Sequence, residues 1–440
     1  MSFKTIFQKR SFVRLFQDEL FKNSFYIMSS TVTMAVFGFF FWLIAAHLHH
    51  PAQVGIASTL VSSMIFISYL SLLGFNNTIL KFLPLTKRRN EYINTSVLLV
   101  TGAALLISFL FVLIAPHFAP KLALLHHGFY GAGFIILSVG AALNLVTDSI
   151  YIAFRSAKYN FIIDGLMNGG IQLILPFAIL FLGSFGVFAA QGASTFIATA
   201  VSLYFLYKKF GYKPNRKIDR STVSEIFHYS AYSYAGNVLS ISPTIILPII
   251  ILDRLGSAAA GYYYLSYMMA NVLFSLGYAV SQSLFAEGSY AEHELINLTK
   301  RAARYLTLTI LPAAIGLCTV GPYVLSFFGK TYSAAGHNVL LVFAISAPFL
   351  AIYVLGTVIL SIQKRVKTAL IVNFIYSLSV CISAYLLAPR GIVWASSGWL
   401  VGNAIGSILI TIILGFEFTP RLSRQNAQFL DQTQCLSETA

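Results

Sequence analysis

The amino-acid sequence predicts an all-α polytopic membrane protein of about twelve transmembrane helices, arranged as two six-helix bundles around a central cavity. Three observations predict it. The 440 residues are 57% hydrophobic and only 10% charged, whereas soluble domains are near a quarter charged. The apolar residues fall in blocks of about 20, the length that crosses a hydrocarbon core of roughly 30 Å. Lys and Arg alternate between rich and poor connections, the pattern that fixes orientation in a membrane.

Residues 1–22 read as a cytoplasmic amphipathic leader. Phe3, Ile6, Phe7, Val13, Phe16 and Leu20 recur near helical spacing among Lys4, Lys9, Arg10 and Arg14. Such a helix suits an anionic inner leaflet; a disordered basic leader is the alternative. The charges, with no short apolar core and small-residue cleavage site after them, exclude a cleavable signal. Apolar spans follow at about 24–48, 54–75, 95–116, 129–153, 161–183 and 186–207, then 225–252, 258–283, 303–322, 338–360, 366–388 and 391–415. They define an N-terminal bundle (23–207), a basic cytoplasmic connector (208–224), a C-terminal bundle (225–415) and a cytoplasmic tail (416–440). Connections are short, the longest being Lys208–Arg220 and Glu287–Arg304.

With the N-terminus cytoplasmic, 25 of the 29 Lys and Arg residues fall inside, and only Lys121, Arg254, Lys330 and Arg390 fall outside. Both termini are then cytoplasmic. The net charge of +15 is accounted for by this sorting, so no nucleic-acid partner is expected. Two halves with an even number of spans share orientation and relate by an axis along the membrane normal. A faint echo supports duplication: Ala46-His47-Leu48 precedes Gly55, and Asp253-Arg254-Leu255 precedes Gly261.

Candidate site residues come from polar faces on apolar helices. Ser230, Ser233, Asn237, Ser240 and Thr244 step by 3 and 4 along one face of the seventh span. Asn23, Tyr26, Ser30 and Thr33 do the same on the first. Two readings stay open: a hydrogen-bonding cavity wall, or polar groups that join helices at roughly 0.6 kcal/mol each. Tyr263, Tyr267 and Asn271 share a face of the eighth span with Phe274 and Tyr278, suited to sugar rings or to packing. Asn76, Asn77 and Lys81 end the second span, Arg155 follows the fourth and Glu287 ends the eighth; they are candidate headgroup or gate residues. Asp148 lies deep in the fourth span with no obvious local partner, and is the candidate ion-coupling group. Asp164 reads as half of an ion pair with Arg155 or Lys158. Cys318, Cys381 and Cys435 have no metal-site spacing, and the outer histidines have no acidic partners. No metal is expected. No Gly-rich phosphate loop is present, which argues against direct ATP use, and no catalytic residues are assigned.

Several segments carry a resemblance. Phe41-Trp42-Leu43-Ile44-Ala45-Ala46, Val54-Gly55-Ile56-Ala57, Leu73-Gly74-Phe75-Asn76-Asn77 and Lys81-Phe82-Leu83-Pro84 are similar to the opening of bacterial polysaccharide-biosynthesis flippases. In the second half, Leu247-Pro248, Leu255-Gly256, Tyr262-Tyr263-Tyr264, Ser283-Leu284-Phe285-Ala286-Glu287-Gly288-Ser289 and Phe328-Gly329-Lys330-Thr331-Tyr332 agree. That family belongs to the multidrug/oligosaccharidyl-lipid/polysaccharide exporter superfamily. The resemblance implies a two-bundle transporter in the bacterial cytoplasmic membrane, with a cavity formed mainly by the first, second, seventh and eighth helices. It implies alternating access, undecaprenyl-pyrophosphate-linked oligosaccharide as cargo, membrane lipids and a polysaccharide polymerase as partners, no cofactor and no enzyme activity. One departure is visible: those four helices carry no central Lys or Arg, which sets the chain apart from relatives that line the cavity with arginines.

A multidrug or small-solute antiporter shares the implied fold and needs a coupling carboxylate. A major-facilitator transporter would carry Gly-x-x-x-Asp-Arg-x-Gly-Arg-Arg after its second helix; here the segment is Lys81-Phe82-Leu83-Pro84-Leu85-Thr86-Lys87-Arg88-Arg89. A membrane polymerase or ligase typically needs a sizeable outer loop for its chemistry, and the outer loops here are short and nearly uncharged.

Overall fold

The computed structural model describes residues 19–215, 218, 232–290 and 294–438. Most of the leader, part of the basic connector and Ser230 lie outside the described residues. Among the described residues, twelve helices are long and apolar enough to cross a membrane. In chain order they are α1 (Lys22–Leu48), α2 (Pro51–Ser71), α3 (Arg89–Phe118), α4 (Gly128–Ala153), α5 (Lys158–Ala178) and α6 (Gly183–Phe210). The second six are α7 (Tyr232–Leu255), α8 (Ser257–Ser289), α9 (Leu295–Phe328), α10 (Lys330–Ile362), α11 (Val366–Arg390) and α12 (Ile392–Gly415). The protein is an all-α, multi-pass membrane protein.

Among the described residues every predicted span is a helix, and the differences lie at the ends; residues 225–231 of the seventh predicted span lie outside the described residues. α2 stops at Ser71, short of the predicted 75, because Leu73 (φ 49°) and Gly74 (φ 86°) turn left-handed. A separate short helix, Phe75–Phe82, follows and carries Asn76, Asn77 and Lys81. α9 begins at Leu295, so Lys300, Arg301 and Arg304 are helical rather than in a loop. Hydropathy marks where the apolar stretch ends; backbone hydrogen bonding continues wherever Lys, Arg and Ala favour helix. The last helix likewise runs on beyond its apolar part to Glu438.

The chain forms two compact units, Met1–Leu265 with Phe327–Tyr332, and Ser266–Ser326 with Ser333–Ala440. In the first unit, α2 is the core element. Gly55, Ala57, Ser58, Thr59, Ser62 and Ser63 are all buried on it, small residues that let neighbouring helices close in. Its hydroxyls are satisfied within the helix: Thr59 Oγ1 donates to the Gly55 carbonyl at 2.9 Å and Ser63 Oγ to that of Thr59 at 2.8 Å. That removes the cost of burying them away from water. Gly55 also meets Gly261 at the start of α8, and a Cβ on Gly55 would overlap the Ser257 carbonyl oxygen. α3, by contrast, turns Leu105, Leu106, Phe109, Leu110 and Leu113 outward, the face expected toward lipid.

In the second unit, α11 and α12 pack along Gly398, Gly402 and Gly406. The close neighbours of these glycines are Ala384, Val380 and the Tyr353 ring, respectively. The spacing of four places all three on one face. Tyr353 of α10 stacks on Tyr376 of α11 at 4.3 Å and donates to Asn373 Oδ1 at 2.6 Å.

Candidate functional site: a carboxyl cluster and a polar groove in the first unit

α5 opens with a π-helical stretch, Phe161–Asn168. Such stretches widen a helix by one residue per turn and recur at functional sites. Gly165 and Gly169 face α1: a Cβ at Gly165 would touch Ser30, and Phe37 fills the space one at Gly169 would need. The close fit turns Asp164 into the bundle, where it is 2% exposed. There Asn144 Nδ2 of α4 donates to Asp164 Oδ1 at 2.7 Å, and the Asp148 carboxyl group lies beside that of Asp164. The expected ion pair of Asp164 with Arg155 or Lys158 is therefore corrected: its partners are Asn144 and Asp148. The helical wheel of α5 sends Asp164 inward, toward α4, rather than along the short loop to the surface.

Two carboxylates this close and shielded from water repel one another when both are charged, so the site favours a bound proton or cation. The surroundings are rich in acceptors. Asp148 Oδ1, Asp164 Oδ2, Asn168 Oδ1 and Gln191 Oε1 are buried without a protein hydrogen-bond donor. The Tyr151 hydroxyl of α4 is committed to the Ser202 carbonyl at 2.7 Å. A cluster short of donors is suited to take up a proton or a cation. Asp164, Asn144, Asn168, Gln172, Gln191 and Thr195 line a cavity of about 300 Å³ within this unit.

A second cavity, of about 250 Å³, runs between α2 and α7. Asn76, Asn237, Ser240 and Thr244 line it together with Tyr69 and Tyr234. The Tyr234 hydroxyl donates to the Leu70 carbonyl, tying α7 to α2. Tyr69 borders both cavities. Neither lining includes Lys or Arg, so the groove offers neutral hydrogen-bonding groups.

The structure thus brings together part of the predicted set. Asn237, Ser240, Thr244 and Asn76 share the groove, while Ser233 is exposed on the same helix. Asn23, Tyr26 and Ser30 join α1 to α5 instead. Asn23 Oδ1 accepts from the Ala157 N–H at 2.9 Å, Tyr26 packs on Phe161 at 6.0 Å, and Ser30 Oγ donates to the Asn160 carbonyl at 3.2 Å. Thr33 lies further along that helix, half-buried. On α8, Tyr263 is in the core of the first unit. Tyr267 stacks on Trp399 at 5.4 Å in the second, and Asn271 is exposed. Asn77 is half-buried, and Lys81, Arg155 and Glu287 are exposed.

Asp164, Asn144, Asn168, Gln172, Gln191 and Thr195 were not among the residues singled out for a site from sequence. Their signal was present: Asp164, Asn168 and Gln172 step by four along α5, and Gln191, Thr195 and Thr199 step by four along α6.

Three solved structures share this fold of twelve spans. One is the lipid II flippase MurJ in its inward closed conformation. It has a TM-score of 0.73 at 12% identity, covering 89% of this chain and 87% of that one. The second is the inward-facing conformation of a multidrug resistance MATE family transporter of the MOP superfamily, with a TM-score of 0.60 at 13% identity, covering 90% and 95%. The third is a MOP superfamily transporter from Pyrococcus furiosus, with a TM-score of 0.58 at 13% identity, covering 91% and 95%. No curated protein sequence matches the chain. Residues 44–337 match the model of the polysaccharide biosynthesis protein family. The chain belongs to that family.

Proposed function

We propose that this protein is a flippase of the bacterial cytoplasmic membrane. It carries undecaprenyl-pyrophosphate-linked oligosaccharide from the inner to the outer leaflet by alternating access, for surface polysaccharide biosynthesis. The moving bodies are the two six-helix halves, 23–207 and 225–415, with both termini cytoplasmic. The observation that carries this reading, beside the family, is the groove between α2 and α7. It offers amide and hydroxyl groups without fixed charge, which suits the hydroxyls of a neutral saccharide. The lipid tail stays in the bilayer. Asp148 and Asp164 form the coupling pair, loading a proton or monovalent cation from one side and releasing it to the other.

The carboxyl pair also favours a second reading, a cation-coupled small-solute antiporter of the same superfamily. Reconstitution separates the two. The protein is placed in vesicles containing undecaprenyl-pyrophosphate-linked saccharide, and the sugar exposed on each leaflet is read with an impermeant oxidant. Protein-dependent transfer between leaflets supports the flippase. Absence of transfer, with cation-driven uptake of a small solute instead, selects the antiporter.

A further inference from the structure

Among the described residues three that are not glycine adopt a left-handed backbone: Leu73, Arg155 (φ 51°) and Lys364 (φ 60°). The two basic ones occupy matching places. Arg155 follows α4 and Lys364 follows α10, each before a short connection to the next helix. Their hydrogen bonds agree one for one. After α4, the Phe154, Arg155 and Ser156 N–H groups reach the Ile150, Ile152 and Tyr151 carbonyls at 3.0, 2.9 and 2.8 Å. After α10, those of Gln363, Lys364 and Arg365 reach Ile359, Ser361 and Leu360 at 3.0, 3.0 and 2.8 Å. Both are Schellman ends, in which the left-handed place is ordinarily glycine because a Cβ is strained there. Here it is a cation, and a second cation stands three residues on, Lys158 in one case and Lys367 in the other. All four are exposed.

A cation near a helix C-terminus helps the helix dipole, but the last turn offers unstrained positions for it. Strain kept at two matching sites argues for a role of the side chain itself. We propose that the pairs Arg155–Lys158 and Lys364–Lys367 are two binding sites for phosphate esters at the inner membrane surface, one on each half. The left-handed cap turns the chain sharply, placing one cation of each pair in the turn and the other at the start of the next helix, and a phosphate ester would sit between them. The inference rests on the orientation proposed above and not on the identity of the cargo. The same chemistry is found in the pyrophosphate of a lipid-linked saccharide and in the headgroups of anionic phospholipids.

The glycine substitutions provide the test, because they relieve the caps while removing the charges. Full-length R155G/K364G protein and the charge-preserving R155K/K364R protein are placed in nanodiscs of neutral phosphatidylcholine. Each is titrated with undecaprenyl pyrophosphate and, separately, with phosphatidylglycerol. The expected result is binding weakened by about tenfold or more in the glycine variant, with unfolding temperature unchanged or raised. The charge-preserving variant binds as the parent does. Weakening confined to undecaprenyl pyrophosphate identifies the cargo headgroup as the source; equal weakening of both identifies the phospholipid surface. Unchanged binding of both lipids by the glycine variant overturns the proposal. Failure of saccharide transfer with lipid binding intact would count against the flippase reading alone.

Discussion

Asp148 and Asp164, sixteen residues apart on α4 and α5, bring their carboxyl groups side by side inside the first unit, with Asn144 holding Asp164 at 2.7 Å. Neither helix alone makes this site. It exists because Asp164, in the π-helical stretch of α5, reaches across to Asn144 of α4.

The proposed coupling role of this pair predicts that transport depends on pH. Asp148→Asn and Asp164→Asn each leave a single carboxyl group, and each is expected to flatten the pH dependence of transport in reconstituted vesicles. If both variants kept the parent profile, the pair would have no part in coupling.

Gly55 and Gly261 set the crossing of α2 and α8. Gly55→Val drives a side chain into the Ser257 carbonyl, and overpacking of this kind costs about 1–3 kcal/mol. The unfolding temperature in detergent should fall. Gly102→Ala, where nothing lies within 4 Å of the added carbon, is the matched control and should leave it unchanged or raised. Equal effects of both substitutions would contradict a close crossing.

The groove between α2 and α7 predicts which positions water reaches. In a protein with Cys318, Cys381 and Cys435 replaced, cysteine at Asn237 or Ser240 should react with a water-soluble thiol reagent, while cysteine at the fully buried Ala198 should not. Protection of Asn237 and Ser240 under every transport condition would remove the groove from the substrate path.

The connector after α6 is tied down by two asparagines. Gly211 ends the helix with φ 69°, and the Tyr212 hydroxyl and the Asn215 N–H both donate to Asn94 Oδ1, at 3.0 and 2.9 Å. Asn90 exchanges two bonds with the Lys213 backbone, its Nδ2 donating at 3.0 Å and its Oδ1 accepting at 2.7 Å. Asn94→Ala is expected to cost about 1–3 kcal/mol by leaving those donors unpaired. Trypsin should then cut faster at Lys208, Lys209 and Lys213. An unchanged cleavage rate would show that the connector is held elsewhere.

Much of the fold was legible in the sequence because apolar length and Lys/Arg placement act one helix at a time. The site was less so. Of the polar stripe on α7, Asn237, Ser240 and Thr244 line the groove. The similar stripe on α1 marked helix packing, because Asn23 and Ser30 face the start of α5 and satisfy its backbone. Spacing tells which residues share a face but not what that face meets. Asp164 shows the same limit. Its neighbours in sequence are Arg155 and Lys158, and only the placement of α4 against α5 shows that its partner is another carboxyl group. The left-handed caps at Arg155 and Lys364 gave no sequence signal, since glycine is the residue that announces such a turn.

The most direct test of the central claim is depletion of this protein in the cell that makes it, followed by mass spectrometry of extracted lipid-linked saccharides with an assay of sidedness. The account predicts that one undecaprenyl-pyrophosphate-linked glycan accumulates on the cytoplasmic leaflet. No accumulation, or completed units gathering unpolymerised on the outer leaflet, would contradict it.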